Sequence, residues 1–431
     1  MTTEIVAPSV PHLVHIETTY ACNQHCVFCY NPNRNSKIDP SVIDQIVARV
    51  HEAWIPHVYL IGGEPSLLGA EKLNQYIEML SERSSVTIVT NGQVYLDGLS
   101  TKLACIGVPV HGMETTHDHL TNKSGSFSQA MSSISKYVAC GFDVRCIPVL
   151  TSLNFEQMYD VISLAKRMGM ESVFVDRYED GGIGSQKSEQ LKPSLDQFRT
   201  ALGQMIQGRD DFHIPVGWGT AIPFCLDYRM IEQDMTADCG AGITFAAINP
   251  KGEVRTCNQS ERIYGNILTE NLEDIWHKPE LSEFRSLSWI EKPCFGCKVL
   301  AECLCGCKVD ANSAQTYSVD YAVRGDDTLT VLENGDNHSQ ENDIFIPPQL
   351  RFFRLNPYAR VNTAHREAYL ITRYQTIEID KLGLHMLGQI FNGVVSEKLL
   401  IDLNAERIEI GDIRRFVSLL VEVGAIDIKE G

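Results

Sequence analysis

His15-Ile16-Glu17-Thr18-Thr19-Tyr20-Ala21-Cys22-Asn23-Gln24-His25-Cys26-Val27-Phe28-Cys29-Tyr30 starts as a strand and ends as a loop bearing cysteines in a CX3CX2C spacing. Three thiolates on one tight loop can ligate three irons of a 4Fe-4S cluster and leave the fourth iron without a protein ligand. An iron left open in this way is a place for a small molecule to bind. The competing reading is a structural zinc loop, with His25 as the fourth ligand.

Outward from this loop, short apolar runs alternate with amphipathic stretches. Val58 to Ile61, Val86 to Val89, Val144 to Leu150 and Val173 to Val175 have the composition of strands buried in a parallel sheet. Asp39-Pro40 is a helix start, a capping carboxylate before a proline, and Ile43, Ile46, Val47, Val50 and Trp54 follow on one helical face. Val161, Ile162, Ala165 and Met168 form a second such face, closed by Gly169. Repeated strand-helix units predict an α/β parallel sheet or partial barrel with its site at the carboxyl ends of the strands. Gly62-Gly63-Glu64-Pro65 and Thr90-Asn91-Gly92 close the next two strands, and neither is expected of a zinc loop.

From about Trp218 to Ala311 the pattern changes to short strands, turns and cysteines, which calls for metal to hold the segment together. Cys239 is followed by twelve residues, Gly252, four residues and Cys257; then come Cys294-X2-Cys297-X5-Cys303-X3-Cys307, with Cys305 inside the last gap. Cys225 lies upstream, in Ile222-Pro223-Phe224-Cys225. Fourteen cysteines in 431 residues, mostly clustered, fit metal ligation in a reducing, cytoplasmic setting better than disulfides. Cys105, Cys140 and Cys146 fall at strands or helix ends and read as buried core thiols.

The formal charge of −18 argues against a nucleic-acid partner, and no apolar stretch approaches membrane-spanning length. Gly325 to Asp343 carries six acidic residues and no Lys or Arg, the composition of a linker. Beyond it, Ile344 to Gly431 balances eleven acids against eleven bases. Ala368 to Ile371 and Thr376 to Ile379 read as strands. A helix with Leu382, Met386, Leu387, Ile390 and Phe391 follows, stopping at Gly393, and a second starts at Ser396. A third carries Ile413, Phe416, Val417 and Leu420, and a short strand runs from Ala425 to Ile428. This order of elements is that of a small winged-helix module.

The CX3CX2C loop with Phe28 before its last cysteine, followed by GGEP and TNG, resembles the radical S-adenosylmethionine (SAM) enzymes. The resemblance implies a partial (β/α)6 barrel and a 4Fe-4S cluster held by Cys22, Cys26 and Cys29. Its open iron would chelate SAM, which is cleaved to a 5′-deoxyadenosyl radical that abstracts hydrogen from a substrate. It also implies SAM contacts from Phe28, Gly62, Gly63, Glu64, Thr90 and Asn91, and by position from Asn154 and Arg177, a guanidinium suiting the SAM carboxylate.

The downstream cysteines resemble the SPASM extension of peptide-modifying members, with two auxiliary 4Fe-4S clusters. One would take Cys225, Cys239, Cys257 and Cys307, the other Cys294, Cys297 and Cys303. The family's last cysteine is missing, since none follows Cys307. Cys305, or an oxygen of Asp310, Asp320, Asp326 or Asp327, could replace it, or the second cluster keeps an open iron.

The tail is similar to the PqqD-like modules that bind leader peptides by strand addition. The expected organisation is a radical SAM core over 1–215, a SPASM domain over 216–320, an acidic linker over 321–343 and a peptide-recognition domain over 344–431. The expected function is radical modification of a ribosomally made precursor peptide, by crosslinking or excision. A flavodoxin or ferredoxin would supply electrons, with no nucleic-acid or membrane partner. An anaerobic sulfatase-type maturase and a non-catalytic metal-bound peptide scaffold are the alternatives.

Overall fold

The computed structural model describes residues 7–35, 39–308, 319–323, 351–355, 359–364, 368–373, 375–391 and 410–430. The chain divides into two compact units, one of 1–82 with 86–334 and one of 335–431 with 83–85.

In the first unit, strands β1 (Leu13–Glu17), β2 (His57–Ile61), β3 (Ser85–Val89), β4 (Cys105–Val108), β5 (Val144–Cys146), β6 (Val149–Leu150), β7 (Ser172–Arg177) and β8 (Val216–Trp218) form a parallel sheet. Five long helices lie between the strands: α1 (Pro40–Glu52), α2 (Gly69–Leu80), α3 (Glu114–Thr121), α4 (Ser126–Ala139) and α5 (Met158–Arg167). A sixth, α6 (Leu195–Phe212), precedes β8. Strand-helix alternation of this kind gives the α/β core expected of a partial barrel.

Local chemistry accounts for the start of α1. Asp39 Oδ1 accepts from the Ser41 N–H at 2.9 Å, and Pro40 fills the first turn, where no N–H is needed. The helix then buries Ile43, Ile46, Val47 and Val50 completely, each stabilising by about 1.5–3 kcal/mol. Trp54 does not extend that face, because the helix ends at Glu52 and Trp54 adopts a left-handed backbone (φ 54°). The expected single strand from Val144 to Leu150 is two strands. Pro148 has no N–H to offer a ladder, and its carbonyl instead accepts from the Asp176 N–H at 2.9 Å.

The cysteine-rich segment is built onto the same sheet. Strand β9 (Phe245–Ile248) pairs in parallel with β1, and β10 (Glu253–Arg255) and β11 (Gly265–Asn266) continue antiparallel from it. Their strand ends therefore reach the rim where the first cysteine loop sits. Among the described residues, no helix is long and apolar enough to cross a membrane.

In the second unit, β13 (Arg360–Asn362), β14 (Ala368–Ile371) and β15 (Thr376–Ile379) form an antiparallel sheet. Strand β12 (Arg351–Leu355) pairs antiparallel with β16 (Ile426–Glu430), a pairing that was not expected. Helices α7 (Lys381–Phe391) and α8 (Ile410–Glu422) complete the unit. Leu370, Met386, Leu387, Ile413, Val417 and Leu420 belong to its core. The expected helix starting at Ser396, and the whole acidic stretch from Gly325 to Asp343, lie outside the described residues.

Candidate functional site

The first cysteine loop leaves β1 and is braced by backbone hydrogen bonds. Val27 N–H reaches Leu120 O at 2.9 Å, Gly63 N–H reaches Thr19 O at 2.6 Å and Glu64 N–H reaches Ala21 O at 2.9 Å. Cys22, Cys26 and Cys29 are close enough for their charges to interact. Burial raises the Cys26 thiol pKa, and the neighbouring Cys29 and Cys22 raise it further. Burial also raises Cys22, with Glu64 and Cys29 adding to the effect. The Arg34 guanidinium opposes both shifts, and its Nη2 donates to the Cys26 carbonyl at 2.6 Å. Three half-buried thiols on one loop, whose negative forms disfavour one another, suit a cationic group between them, and an iron-sulfur cluster with one open iron fits this donor set.

The glycines of GGEP face this loop's own backbone. A Cβ at Gly63 would overlap the carbonyls of Ala21 and Tyr20, and one at Gly62 (φ 138°) would overlap Thr19 O. They thus permit β2 to close on the cysteine loop. Glu64 is buried and fully engaged. Its Oε1 accepts from Thr90 Oγ1 at 2.6 Å and from Ser66 N–H at 2.9 Å, and its Oε2 accepts from Asn91 N–H at 2.7 Å. Burial raises its pKa, and these hydrogen bonds oppose the rise. Asn91 Nδ2 donates to Asn23 Oδ1 at 2.7 Å and lies 3.8 Å from Cys22 Sγ. GGEP, TNG and the thiols therefore converge on one rim of the sheet.

Phe28 packs edge-on against His111, ring centroids 4.6 Å apart. Asn154 and Arg177, expected near SAM, are both engaged by the protein itself. Asn154 uses its amide as a brace: Nδ2 donates to His111 O at 2.7 Å and Val149 O at 2.8 Å, and Oδ1 accepts from Thr151 N–H and Oγ1. Arg177 does not face an open site but pairs with Asp320. Nη2 reaches Oδ2 at 2.5 Å and Nη1 reaches Oδ1 at 3.2 Å, with Glu179 3.7 Å from its Nε. Asp320 is thereby engaged by Arg177 and by the Cys307 N–H at 2.7 Å, rather than free as a metal ligand. Asp310, Asp326 and Asp327 lie outside the described residues.

The second cysteine group is arranged differently from the partition the resemblance implied. Cys225, Cys294, Cys297, Cys303 and Cys305 line one small pocket. The Phe224 N–H donates to Cys303 Sγ at 3.4 Å. Burial raises Cys294 to about 12, with Cys303, Cys225 and Cys297 contributing. Burial also raises Cys257, whose charged neighbours include Glu179 and Cys239. Lys308, missed in the sequence, is buried and donates to Cys239 O at 2.7 Å. Among the described residues, no three His, Cys, Asp or Glu side chains converge on a single metal-ion position. Cys105 and Cys146 are buried strand residues as expected, but Cys140 is exposed, 3.4 Å from Tyr95 Oη.

A buried network also escaped the sequence reading. Glu17 pairs with Arg255, and Asn258 Nδ2 donates to Glu17 Oε1 at 2.9 Å. Asn258 Oδ1 then accepts from His15 Nδ1 at 2.7 Å. The strict alternation of β1 was the available signal, since Val14 and Ile16 turn to the core and leave His15 and Glu17 on the concave face.

Residues 16–165 match the model of the radical SAM superfamily, and residues 239–298 match that of an iron-sulfur cluster-binding domain, SPASM. The PqqA peptide cyclase of Methylocella silvestris is 23% identical over 316 residues, 68% of this chain and 82% of the relative. The mycofactocin maturase MftC of Mycolicibacterium smegmatis is 25% identical over 319 residues, 68% of this chain and 76% of the relative. Among solved structures, Streptococcus suis SuiB bound to its precursor peptide SuiA superposes with a TM-score of 0.61 at 17% identity, covering 73% of this chain and 76% of SuiB. Rim geometry, thiol chemistry and both domain matches agree: the chain carries a radical SAM domain over residues 16–165 and a SPASM iron-sulfur cluster-binding domain over residues 239–298.

Proposed function

We propose that this enzyme modifies a ribosomally synthesised precursor peptide, by crosslinking or by excision, in the cytoplasm. The observation that carries the reading is the joining, on one continuous sheet, of the first cysteine loop with strands from a second thiol-rich domain. A PqqA peptide cyclase and a SuiB structure holding a precursor peptide align with 68% and 73% of this chain, which supports a peptide here as well.

Bound at the first loop, SAM and its cluster supply a 5′-deoxyadenosyl radical able to take hydrogen from an unactivated carbon. Cys22, Cys26 and Cys29 are assigned as ligands of that cluster. Glu64, Thr90 and Asn91 hold the rim rigid around it, and Phe28 with His111 walls one side, keeping water from a reactive carbon. Cys225 is assigned with Cys294, Cys297 and Cys303 to one auxiliary cluster, and Cys239, Cys257 and Cys307 to the other. A flavodoxin or ferredoxin is the expected electron donor. Cys225→Ala is expected to lower iron content while sparing the SAM-cluster signal in electron paramagnetic resonance. Iron content equal to the unmodified chain's would remove Cys225 from the ligand set.

The second unit is assigned as a winged-helix, PqqD-like leader-binding module. Among the described residues, the outer strands β13 and β15 each pair on one side only, and a peptide added at such an edge draws affinity from backbone hydrogen bonds. A short reading frame beside the gene would encode the substrate. A synthetic leader from it, fluorescently labelled, is expected to bind the full chain with micromolar or tighter affinity, and the core segment alone more weakly. No detectable leader binding would remove this assignment. For the reaction itself, the test is anaerobic reconstitution with iron and sulfide, then dithionite, SAM and peptide. 5′-Deoxyadenosine together with a changed peptide mass is the expected result.

A further inference from the structure

The concave face of the sheet carries a carboxylate that the assignments above leave unused. In β7, Val173 and Val175 join the core beneath the helices, so Ser172, Phe174 and Asp176 point the other way. Arg145 of β5 shares that face. Its guanidinium lies 4.6 Å from the Phe174 ring centroid and donates to Ser172 Oγ at 3.3 Å and to Tyr59 Oη at 3.2 Å. Tyr59 stands on β2, three strands away in the sheet order, so contact between them requires the sheet to curl around a lumen.

Asp176 sits one residue before the end of β7, half-buried in this lumen. Among the described residues its side chain has no hydrogen-bond or ion-pair partner. Arg145 influences it through charge alone. Its oxygens are not sealed in the core, so a carboxylate with no protein partner faces the lumen. The neighbouring strand makes room for it. In Val216-Gly217-Trp218-Gly219, Val216 and Trp218 are buried in the core, and glycine occupies both positions beside the lumen residues. A Cβ at Gly219 would overlap Asp176 Oδ1, and one at Gly217 would press on the Phe174 ring at 3.2 Å. The loop after β7 then packs on the first cysteine loop, Gly184 N–H donating to Cys29 O at 2.8 Å. The carboxylate thus lies at the end of a strand whose following loop touches the thiol site. Burial raises its pKa to about 7, with Arg145 opposing, which leaves it able both to accept and to release a proton near neutrality.

We propose that Asp176 is the catalytic base that removes a proton from the peptide during crosslink formation. This rests on the peptide-modifying reading above. In the step, one C–H hydrogen leaves the peptide as an atom and ends in 5′-deoxyadenosine. The resulting carbon radical adds to the acceptor residue and forms the new bond. The adduct then loses one electron to an oxidised auxiliary 4Fe-4S cluster and one proton to the Asp176 carboxylate. Two hydrogens leave in total, one as an atom and one as proton plus electron. Arg145 keeps the carboxylate partly ionised before the step, and the glycines of β8 keep it unobstructed.

The test compares the reconstituted full chain with Asp176→Asn and Asp176→Glu, using the synthetic precursor. Asp176→Asn is expected to lower crosslinked product about a hundredfold, the scale of a lost general base, while 5′-deoxyadenosine continues to form. The 5′-deoxyadenosine made per crosslink therefore rises, and peptide affinity by fluorescence anisotropy stays within about threefold. Asp176→Glu, which keeps a carboxylate, should recover about a tenth or more of the product. Wild-type product per 5′-deoxyadenosine in the Asn variant would overturn the proposal, as would loss of product that merely follows loss of peptide binding. If the Asn variant holds no iron, Gly219→Ala carries the test. It crowds the carboxylate without removing it and must lower product per 5′-deoxyadenosine, and an unchanged ratio overturns the proposal. Failure of the underlying reading is visible earlier, as unmodified enzyme that leaves the peptide mass unchanged.

Discussion

Alanine at Cys22, Cys26 and Cys29 together is expected to reduce 5′-deoxyadenosine formation to that of a protein-free control, while about two-thirds of the iron remains bound. The chemical half of the expectation follows from the donor set. With no thiolates on the loop there is no cluster to present an open iron, and SAM has no electron source. The structural half follows from how the loop is held. Its path is set by backbone bonds, Gly63 to Thr19, Glu64 to Ala21 and Val27 to Leu120, none of which uses a cysteine side chain. The Glu64, Thr90 and Asn91 network also persists apart from the Asn91 approach to Cys22. Folding should therefore survive, and the loss reads as chemistry. Iron and sulfide analysis beside a chromatographic assay checks both halves at once. A triple variant that still cleaves SAM would show that the radical arises elsewhere.

What could be read in the sequence shares one property: the residues that carry it lie within a few positions of one another. CX3CX2C, GGEP and TNG are local spacings, and each marks a strand end because strands in a parallel sheet terminate on one rim. The Asp39 cap and the face of α1 are local as well. Other contacts depend on partners far along the chain. A guanidinium at a strand end suits an anion, and the anion that meets Arg177 in the fold is Asp320, 143 positions on. Asn154 looked available because nothing in its neighbourhood announces the His111 carbonyl, 43 positions back. Gly62 and Gly63 were recognised as close-approach residues, but sequence alone does not say what approaches. The same holds for Cys225, which a motif counts with Cys239 and a fold sets beside Cys303. Pairing of β12 with β16 had no local signature, since its strands lie on either side of two helices.

Arg177→Met is expected to destabilise the first unit by about 3–5 kcal/mol, the cost of breaking a buried ion pair from one side. Both side chains are fully buried, at 0% exposure, so neither charge can turn to water when its partner is removed. Methionine would leave two carboxylates, Asp320 and Glu179, in a site that held one cation between them. Asp320 has further duties. It accepts the Cys307 N–H at 2.7 Å and the Ala322 N–H at 2.9 Å, fixing the turn that carries a thiol assigned to an auxiliary cluster. Repelled by Glu179, it would draw that turn out of place, so the variant should also hold less iron. Asp320→Asn should do less harm to Cys307, because an amide oxygen can still accept its N–H, but it removes the negative charge that faces the Arg177 guanidinium. Replacing both by apolar residues should recover part of the loss, because no buried charge is then left facing an absent partner across that contact. Urea midpoints of the two single variants and the double variant, with iron measured on each, test this ordering. An Arg177→Met protein that unfolds at the wild-type urea concentration would mean that the pair is solvated in the working enzyme. The link between barrel and cysteine-rich segment would then have to lie in the other buried pair, Glu17 with Arg255.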